Sequence, residues 1–186
     1  PSAVNTIDYV TIASVGNATD FGDATGSKYE NACCSSSTRG ISGGGSPGPS
    51  NVIEYITIGS TGNGTDFGDL TESKANFGST SSTTRGVFMG GYKGGSPGIT
   101  NVIEYITIAS TGNGTDFGDM TAGRYDGGCL GNSTRALYGG GYTGSVVTTI
   151  DKITIASTGN ATDFGDTLNA NKYQCGGTSN GHGGLS

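Results

Sequence analysis

The sequence predicts an all-β protein made of four tandem four-stranded repeats, arranged as a small four-bladed β-propeller. Two observations lead to this prediction. The tetrapeptide Asp-Phe-Gly-Asp occurs four times, at spacings of 46, 50 and 47 residues, and the sequence around each copy repeats in the same order. Glycine supplies 37 of the 186 residues, while Ile, Val, Tyr and Phe return at constant positions. Many short strands joined by glycine-containing turns account for both observations.

Each repeat contains an alternating run of residues that is typical of a strand. In residues 51–58, Ile53 and Tyr55 share one face, and Glu54 and Ile56 share the other. Both faces are largely apolar, so we expect both to be covered. A sheet that is stacked between two neighbouring sheets has this property, whereas a sheet with one face in water does not.

Charged residues also recur at constant places in the repeat. An acidic residue lies in each alternating run, a basic residue follows each Asp-Phe-Gly-Asp, and an arginine follows later. We expect some of these arginines to form partly buried ion pairs with the acids of the neighbouring strand. The acids are Asp8, Glu54, Glu104 and Asp151; the first basic set is Lys28, Lys74, Arg124 and Lys172; the arginines are Arg39, Arg85 and Arg135.

The chain is expected to form a single repeat domain over residues 1–186. The repeat units are approximately 1–37, 38–83, 84–133 and 134–180, and residues 181–186 are a candidate ring-closing strand. The sequence begins directly at an alternating strand, so a strand from its C-terminal end could complete the first blade. Length variation is concentrated after the glycine clusters, which predicts exposed loops at 42–50 and 90–100.

Composition excludes several classes of function. The net charge is −6 with only nine Lys and Arg, and no basic patch is visible, so a nucleic-acid partner is not expected. The apolar stretches are too short for membrane insertion. His182 is the single histidine, and no nucleophile motif or Cys-X-X-Cys spacing accompanies it. We therefore expect no catalytic residue, no metal and no cofactor, and a protein that is not an enzyme.

Cys33, Cys129 and Ser79 occupy one repeat position, which predicts a small buried side chain there, with a disulfide as the alternative. The paired aspartates of the repeated tetrapeptide are interpreted as structural. The first would organise a turn, and the second would cap backbone amides or meet a basic residue. Calcium is the alternative, but each copy offers only two carboxylates. These residues are Asp20, Asp23, Asp66, Asp69, Asp116, Asp119, Asp163 and Asp166.

Five asparagines begin Asn-X-Ser/Thr sequons and are candidate glycosylation sites. Four of them share one repeat position in a predicted turn, where Asn also serves the backbone geometry. The five are Asn17, Asn63, Asn113, Asn132 and Asn160.

The pattern resembles the kelch, or galactose-oxidase-like, propeller repeat. In that family a glycine doublet ends one strand, a Tyr-Asp-like pair lies in the next, and an aromatic and then a basic residue follow. The glycines here are at 43–45, 90–91 and 139–141, and the Tyr and acid occur in reversed order, as in Glu54-Tyr55. Phe67 and its equivalents stand where the family usually has Trp. The resemblance implies the kelch-like propeller.

The chain is also similar to the repeat proteins of marine and cyanobacterial tailed phages that carry Thr-Asp-Phe-Gly-Asp-Leu-Thr. The matching segments are 103–113 and the Ser-Thr-Arg-Gly of 37–40. This resemblance implies a non-enzymatic structural or adhesive protein of the virion, on a tail, fibre or capsid appendage. Its partners would be a host surface glycan, another virion protein or further copies of itself. The alternative is a subunit of an extracellular, N-glycosylated filament or surface layer.

Overall fold

The structure is a computed structural model that describes residues 3–169 and 176–177. It is all-β in these residues, as the sequence predicts, and it contains tandem four-stranded antiparallel sheets. No helix in the described part of the chain is long and apolar enough to cross a membrane.

The described residues contain fourteen strands. In chain order they are β1 (Val4–Tyr9), β2 (Thr19–Lys28), β3 (Ala32–Ser35), β4 (Arg39–Gly43), β5 (Ser50–Thr57), β6 (Thr65–Lys74), β7 (Gly78–Ser81), β8 (Arg85–Met89), β9 (Val102–Thr107), β10 (Thr115–Asp119), β11 (Gly128–Gly131), β12 (Arg135–Gly139), β13 (Thr149–Thr154) and β14 (Thr162–Asp166).

The strands form four sheets in which sequence neighbours pair antiparallel. We call β1–β2 the first sheet, β3–β6 the second, β7–β10 the third and β11–β14 the fourth. The first sheet has two strands, and each of the others has four. Each four-stranded sheet begins with the strand that follows the Asp-Phe-Gly-Asp segment of the previous sheet. The sheets are therefore offset by one strand from the repeat units that begin at residues 38, 84 and 134.

Consecutive sheets stack face to face through their apolar residues. One buried cluster joins the second and third sheets and contains Ile53, Phe67 and Phe88. Another joins the third and fourth sheets and contains Ile103 and Tyr138. The short strands β3, β7 and β11 each form one edge of their sheet and lie beside one another in the stack. The alternating strands β5 and β9 are thus covered on both faces, as their sequence predicts.

Closure of these sheets into a propeller ring stays a prediction. The candidate ring-closing strand at 181–186 lies in a part of the chain that the structure does not describe. In the described part, the first sheet contacts the second through β2 and β6. What the structure shows is therefore a row of four sheets, of which three are complete.

Candidate functional site

The repeated Asp-Phe-Gly-Asp is a junction between neighbouring sheets. Phe67 is buried and lies edge to face against Tyr55 of its own sheet, with 6.0 Å between the ring centroids. The same arrangement recurs for Tyr9–Phe21 and Tyr105–Phe117. A register shift in the β5–β6 ladder accompanies the Phe67 position. Phenylalanine therefore anchors the edge strand to its own sheet.

Because the glycine of the motif has no side chain, the turn of the next unit can pack directly against its backbone. A Cβ atom built on Gly68 would lie 2.5 Å from the carbonyl oxygen of Gly112, and its φ is +143°. The backbone N–H of Gly112 donates to the carbonyl of Phe67 at 2.8 Å, and that of Gly114 donates to Asp69 at 2.7 Å. Since a side chain would separate these two backbones, glycine is required at this position.

The sequon asparagines of the turns complete the same junction. The Asn113 side-chain carbonyl accepts the backbone N–H of Asp69 at 3.1 Å. Asn63 and Asn160 accept the equivalent N–H groups of Asp23 and Asp119 at 3.0 Å. The side chains of Asn63, Asn113 and Asn160 are exposed, so each still has an amide nitrogen available for a glycan. The hydrogen bonds across the junction explain why asparagine recurs at this position, and glycosylation stays a prediction.

The other two sequon asparagines lie outside these contacts. Asn132 closes a local turn by accepting from the backbone of Thr134 and Arg135. Asn17 is exposed in the turn before β2. Its repeat position corresponds to that of Asn63.

The aspartates of the motif form hydrogen bonds through side chains in some copies and through the backbone in others. Asp20, Asp66, Asp116 and Asp163 are all exposed, and Asp163 accepts the N–H of Gly165 at 3.0 Å, as the turn interpretation expects. Asp166 accepts the hydroxyl of Thr148 at 2.7 Å. Asp23, Asp69 and Asp119 contribute backbone groups to the junction, and the cap or basic partner expected for their carboxylates stays a prediction. No cluster of three or more metal-ligating side chains occurs in the described residues.

The acids of the central strands pair with the first basic set, across the interface between sheets. Lys74 Nζ lies 2.6 Å from Glu104 Oε1, and both side chains have no solvent exposure. Arg124 pairs with Asp151 at 2.9 Å in a similarly buried position. Lys28 pairs with Glu54 at 2.7 Å, where 14% and 5% of the side chains are exposed. Each basic residue thus reaches the acid of the next sheet.

A threonine from the preceding repeat unit also donates a hydrogen bond to each of these acids. Thr25 donates to Glu54 from both its backbone N–H, at 2.7 Å, and its hydroxyl, at 2.6 Å. Burial by itself would raise the pKa of Glu54, but the hydrogen bonds from Lys28 and Thr25 outweigh it and lower the pKa. Thr71 donates to Glu104 from its backbone N–H, at 2.6 Å. Glu54 is therefore held as a carboxylate at the interface between the first and second sheets.

The predicted pairing of Arg39 and Arg85 with these acids is wrong. Arg39 Nη1 donates at 2.9 Å to the carbonyl of Ile108, and Arg85 Nη1 donates at 2.9 Å to that of Ile155. Each guanidinium lies 4.4 Å from a tyrosine ring centroid, Tyr55 and Tyr105 respectively. The acids already have closer basic partners, so the arginines bind a carbonyl of the next unit instead. Arg135, at the same repeat position, is exposed.

The cysteines of the described residues are free thiols. Cys129 is buried as predicted, and burial raises the pKa of its thiol to about 12. Cys33 at the same repeat position is exposed, which corrects the prediction for that residue. In the described residues β3 faces a first sheet of two strands, whereas Cys129 packs against Gly78 of β7 in the four-stranded third sheet.

The predicted variable loops lie together at one end of the sheets. The β4–β5 and β8–β9 connections emerge there, next to the β6–β7 and β10–β11 connections. We call this end the loop face. It carries a row of partly exposed tyrosines, in which Tyr125 has 5.6 Å between its ring centroid and those of both Tyr92 and Tyr142. Tyr29 continues the loop face on the first sheet side.

A row of polar residues lies beside the tyrosines. Glu30, Asn76 and Asp126 occupy equivalent turns with φ near +60°, a conformation that Asn and Asp tolerate best. The N–H of Asn76 donates to the carbonyl of Glu30 at 3.0 Å, and that of Asp126 donates to Asn76 at 2.9 Å. Asn76 Nδ2 also donates to Asp126 Oδ1 at 2.8 Å. These bonds join three units into one continuous surface.

The two rows line an open groove of about 430 Å³. Burial raises the pKa of Asp126, the Asn76 hydrogen bond lowers it, and nearby Glu30 raises it further. The net direction is upward. The groove offers aromatic faces, hydroxyls, a carboxamide and carboxyl oxygens, with no nucleophile activated by a base among the described residues. This chemistry suits binding through stacking and hydrogen bonds.

Sequence reasoning located the loops of this site and missed its main side chains. The tyrosines and the Glu30, Asn76 and Asp126 turns were not singled out. Their signal was present, since Lys-Tyr-Glu at 28–30 and Arg-Tyr-Asp at 124–126 share a repeat position. Comparison with protein-family models and with curated proteins gave no match to this chain.

Proposed function

We propose that the protein is a non-enzymatic binding module that attaches to its partner through the loop face. The observation that carries this proposal is the groove lined by Tyr92 and Tyr125 together with Glu30, Asn76 and Asp126. Tyrosine presents a large, rigid, amphipathic surface, which makes it a favourable contact residue at binding sites. The sheets behind it provide a rigid support.

The chemistry of the groove favours a neutral or amino sugar. The tyrosine rings offer apolar faces to the C–H side of a pyranose, and the carboxyl and amide groups accept its hydroxyls. Glu30 and Asp126 disfavour an anionic sugar because like charges repel. A host surface glycan is therefore the proposed ligand, and a virion protein is the second partner. Placement on a tail, fibre or capsid appendage rests on the resemblance to the phage repeat proteins.

Binding of the labelled full-length protein to an array of neutral, amino and acidic oligosaccharides tests the proposal. We expect retention on neutral or amino sugars, and a loss of at least ten-fold in affinity on Tyr125→Ala, about 1.4 kcal/mol. Thr111→Ala is the matched control, because Thr111 is exposed in a turn at the opposite end of the sheets. Equal binding by both variants would exclude the loop face, and silence across the array would exclude a glycan ligand.

A subunit of an extracellular filament is the second candidate, and exposed apolar side chains at the two ends of the described sheet row favour it. Phe164 is 53% exposed, whereas its equivalent Phe67 is 3% exposed. At the other end Ile12 is fully exposed, while its equivalent Ile108 is buried. Complementary ends of this kind can join copies head to tail. Electron microscopy of the purified protein and of virions distinguishes free fibres from a virion component. Mass spectrometry of the native protein is the second test, because glycans on Asn63 or Asn113 would oppose a bacterial-virus product.

A further inference from the structure

The groove of the loop face crosses several repeat units instead of lying within one of them. Glu30 comes from the first unit, Asn76 from the end of the second, and Asp126 from the end of the third. Pro49 and Tyr92, from the β4–β5 and β8–β9 connections, also line it. A ligand that fills this groove therefore contacts three consecutive units.

The polar residues of the groove form a ladder with one residue from each unit. Glu30, Asn76 and Asp126 have φ values of 58°, 55° and 60°, so their turns share one backbone conformation. The N–H of Asn76 donates to Glu30 at 3.0 Å, and that of Asp126 donates to Asn76 at 2.9 Å. Backbones that are hydrogen-bonded in this way lie about 5 Å apart, as neighbouring strands do. Glu30 and Asp126 are therefore two steps, or about 10 Å, apart along the ladder.

The tyrosines repeat in the same direction and with a similar step. The backbone of Tyr92 pairs with Ala75 and that of Tyr142 with Tyr125, so each β-bridge joins the end of one unit to the loop of the next. The Tyr125 ring centroid lies 5.6 Å from those of both Tyr92 and Tyr142. Tyr29, which is 37% exposed, has the repeat position of Tyr125 two units earlier. Aromatic side chains thus extend beyond the groove towards both ends of the sheet row.

A single sugar ring is too small to use this surface. One pyranose of an extended chain spans about one step of the ladder, so it can reach Glu30 or Asp126 but not both. The groove volume of about 430 Å³ also exceeds that of one sugar ring. A linear chain, by contrast, brings a C–H face to the tyrosines and hydroxyls to the polar residues at each step.

An extended peptide fits the same surface less well. Addition of a peptide strand needs free backbone N–H and C=O groups at an edge. On the loop face the N–H groups of Asn76 and Asp126 bind carbonyls of the preceding turns, and the backbone of Tyr92 exchanges two hydrogen bonds with Ala75. Among the described residues, the groove therefore presents mainly side chains to a ligand, and these match sugar rings and hydroxyls.

We propose that the ligand of the loop face is a linear chain of neutral or amino sugars, bound along its length across three or more repeat units. This inference rests on the proposed glycan-binding function and adds the class of glycan and the direction in which it lies. The inner sugars stack on Tyr92 and Tyr125, while the polar ladder binds their hydroxyls. Sugars farther along the chain reach Tyr29 or Tyr142, and no chain end is required for binding.

Calorimetric titration of the full-length protein with linear chains of one to six sugars tests the inference. The probes are 1,4-linked series of glucose, mannose, N-acetylglucosamine and glucosamine. In at least one series we expect the affinity to rise about ten-fold or more from one sugar to three, and to level off once the chain is longer than the tyrosine row. A monosaccharide that binds as tightly as its trisaccharide would overturn the inference and leave the proposed function standing.

Replacement of a tyrosine outside the groove tests the direction of the chain. Tyr29→Ala should weaken binding of the six-sugar chain about three-fold or more and leave binding of the two-sugar chain unchanged. Tyr29→Phe is the matched control, because it keeps the ring and should bind like the parent. Unfolding midpoints confirm that both variants are folded. Equal weakening at both lengths, or none at either, would contradict a chain that lies along the row.

Silence in all four series would also overturn the inference. The oligosaccharide array then separates this failure from that of the proposed function. If the array retains the protein on a branched sugar, the loop face binds a glycan of another class and the proposed function stands. If the array is silent as well, both are excluded.

Discussion

The buried pair of Lys74 and Glu104 offers the sharpest test of how neighbouring sheets are held together. Replacing Lys74 by Met keeps the length of the side chain and removes its charge. Glu104 then remains fully buried, and among the described residues only the N–H of Thr71, at 2.6 Å, donates a hydrogen bond to it. Removing one partner of a buried pair costs about 3–5 kcal/mol, because the remaining charge has lost its compensation. We expect a loss of stability of that size.

Equilibrium unfolding in guanidinium chloride measures this loss, with the slope compared between variants to confirm that the same surface unfolds. Lys93→Met is the matched control, because Lys93 pairs with Glu72 at 3.1 Å while 42% of its side chain is exposed. Exposed pairs contribute about 0–1 kcal/mol. If Lys74→Met cost no more than Lys93→Met, the pair would not stabilise the interface and the reasoning would be refuted.

Three further predictions concern the same junctions. Gly68→Ala should lower stability by more than about 2 kcal/mol, because its φ is positive and its Cβ would collide with the next turn. Gly59→Ala is the control: Gly59 has open space around it, and its replacement should change stability by no more than about 0.5 kcal/mol. The unfolding midpoints of the two variants test this difference. Arg85→Ala should cost about 1.5–3 kcal/mol through the lost bond to the Ile155 carbonyl, and a change within about 0.5 kcal/mol in thermal unfolding would contradict it. The lowered pKa of Glu54 means that its stabilisation is present above its unfolded pKa of about 4.3 and is lost as pH falls through the folded value. Stability measured from about pH 6 to 3 should therefore decline, and Glu54→Gln should flatten the decline; an identical slope in the variant would exclude this contribution.

Local patterns in the sequence predicted the strands well because their signals are local. Alternation marks β5 and β9, and glycine clusters mark the connections that follow β4 and β8. Burial on both faces was also predictable, since an alternating strand with apolar residues on both sides has to be covered twice. Ile53 and Ile103, with no exposed surface, meet that expectation.

The partners of charged residues could not be predicted in the same way. Lys74 and Arg85 are both basic, and both recur near the acid-bearing strand. Which of them meets Glu104 depends on the direction in which β6 leads into the third sheet. The sequence interpretation chose the arginine, and the structure pairs the lysine. Side chains that meet across an interface between sheets are brought together by stacking geometry, which spacing along one strand does not contain.

The recurring Asp-Phe-Gly-Asp shows most clearly which properties follow from the sequence and which follow from the tertiary structure. By itself the sequence determined that this tetrapeptide is an architectural repeat within an all-β chain, because its four copies share one order of strands, turns and charges. Only the tertiary structure decided what each letter does: Phe67 anchors the strand, Gly68 admits the next turn, and Asp69 offers its N–H to Asn113. The reason is physical. A repeat reveals its period within one chain segment, but its contacts form between segments 40 or more residues apart, where only the packing of one sheet on the next determines which groups meet.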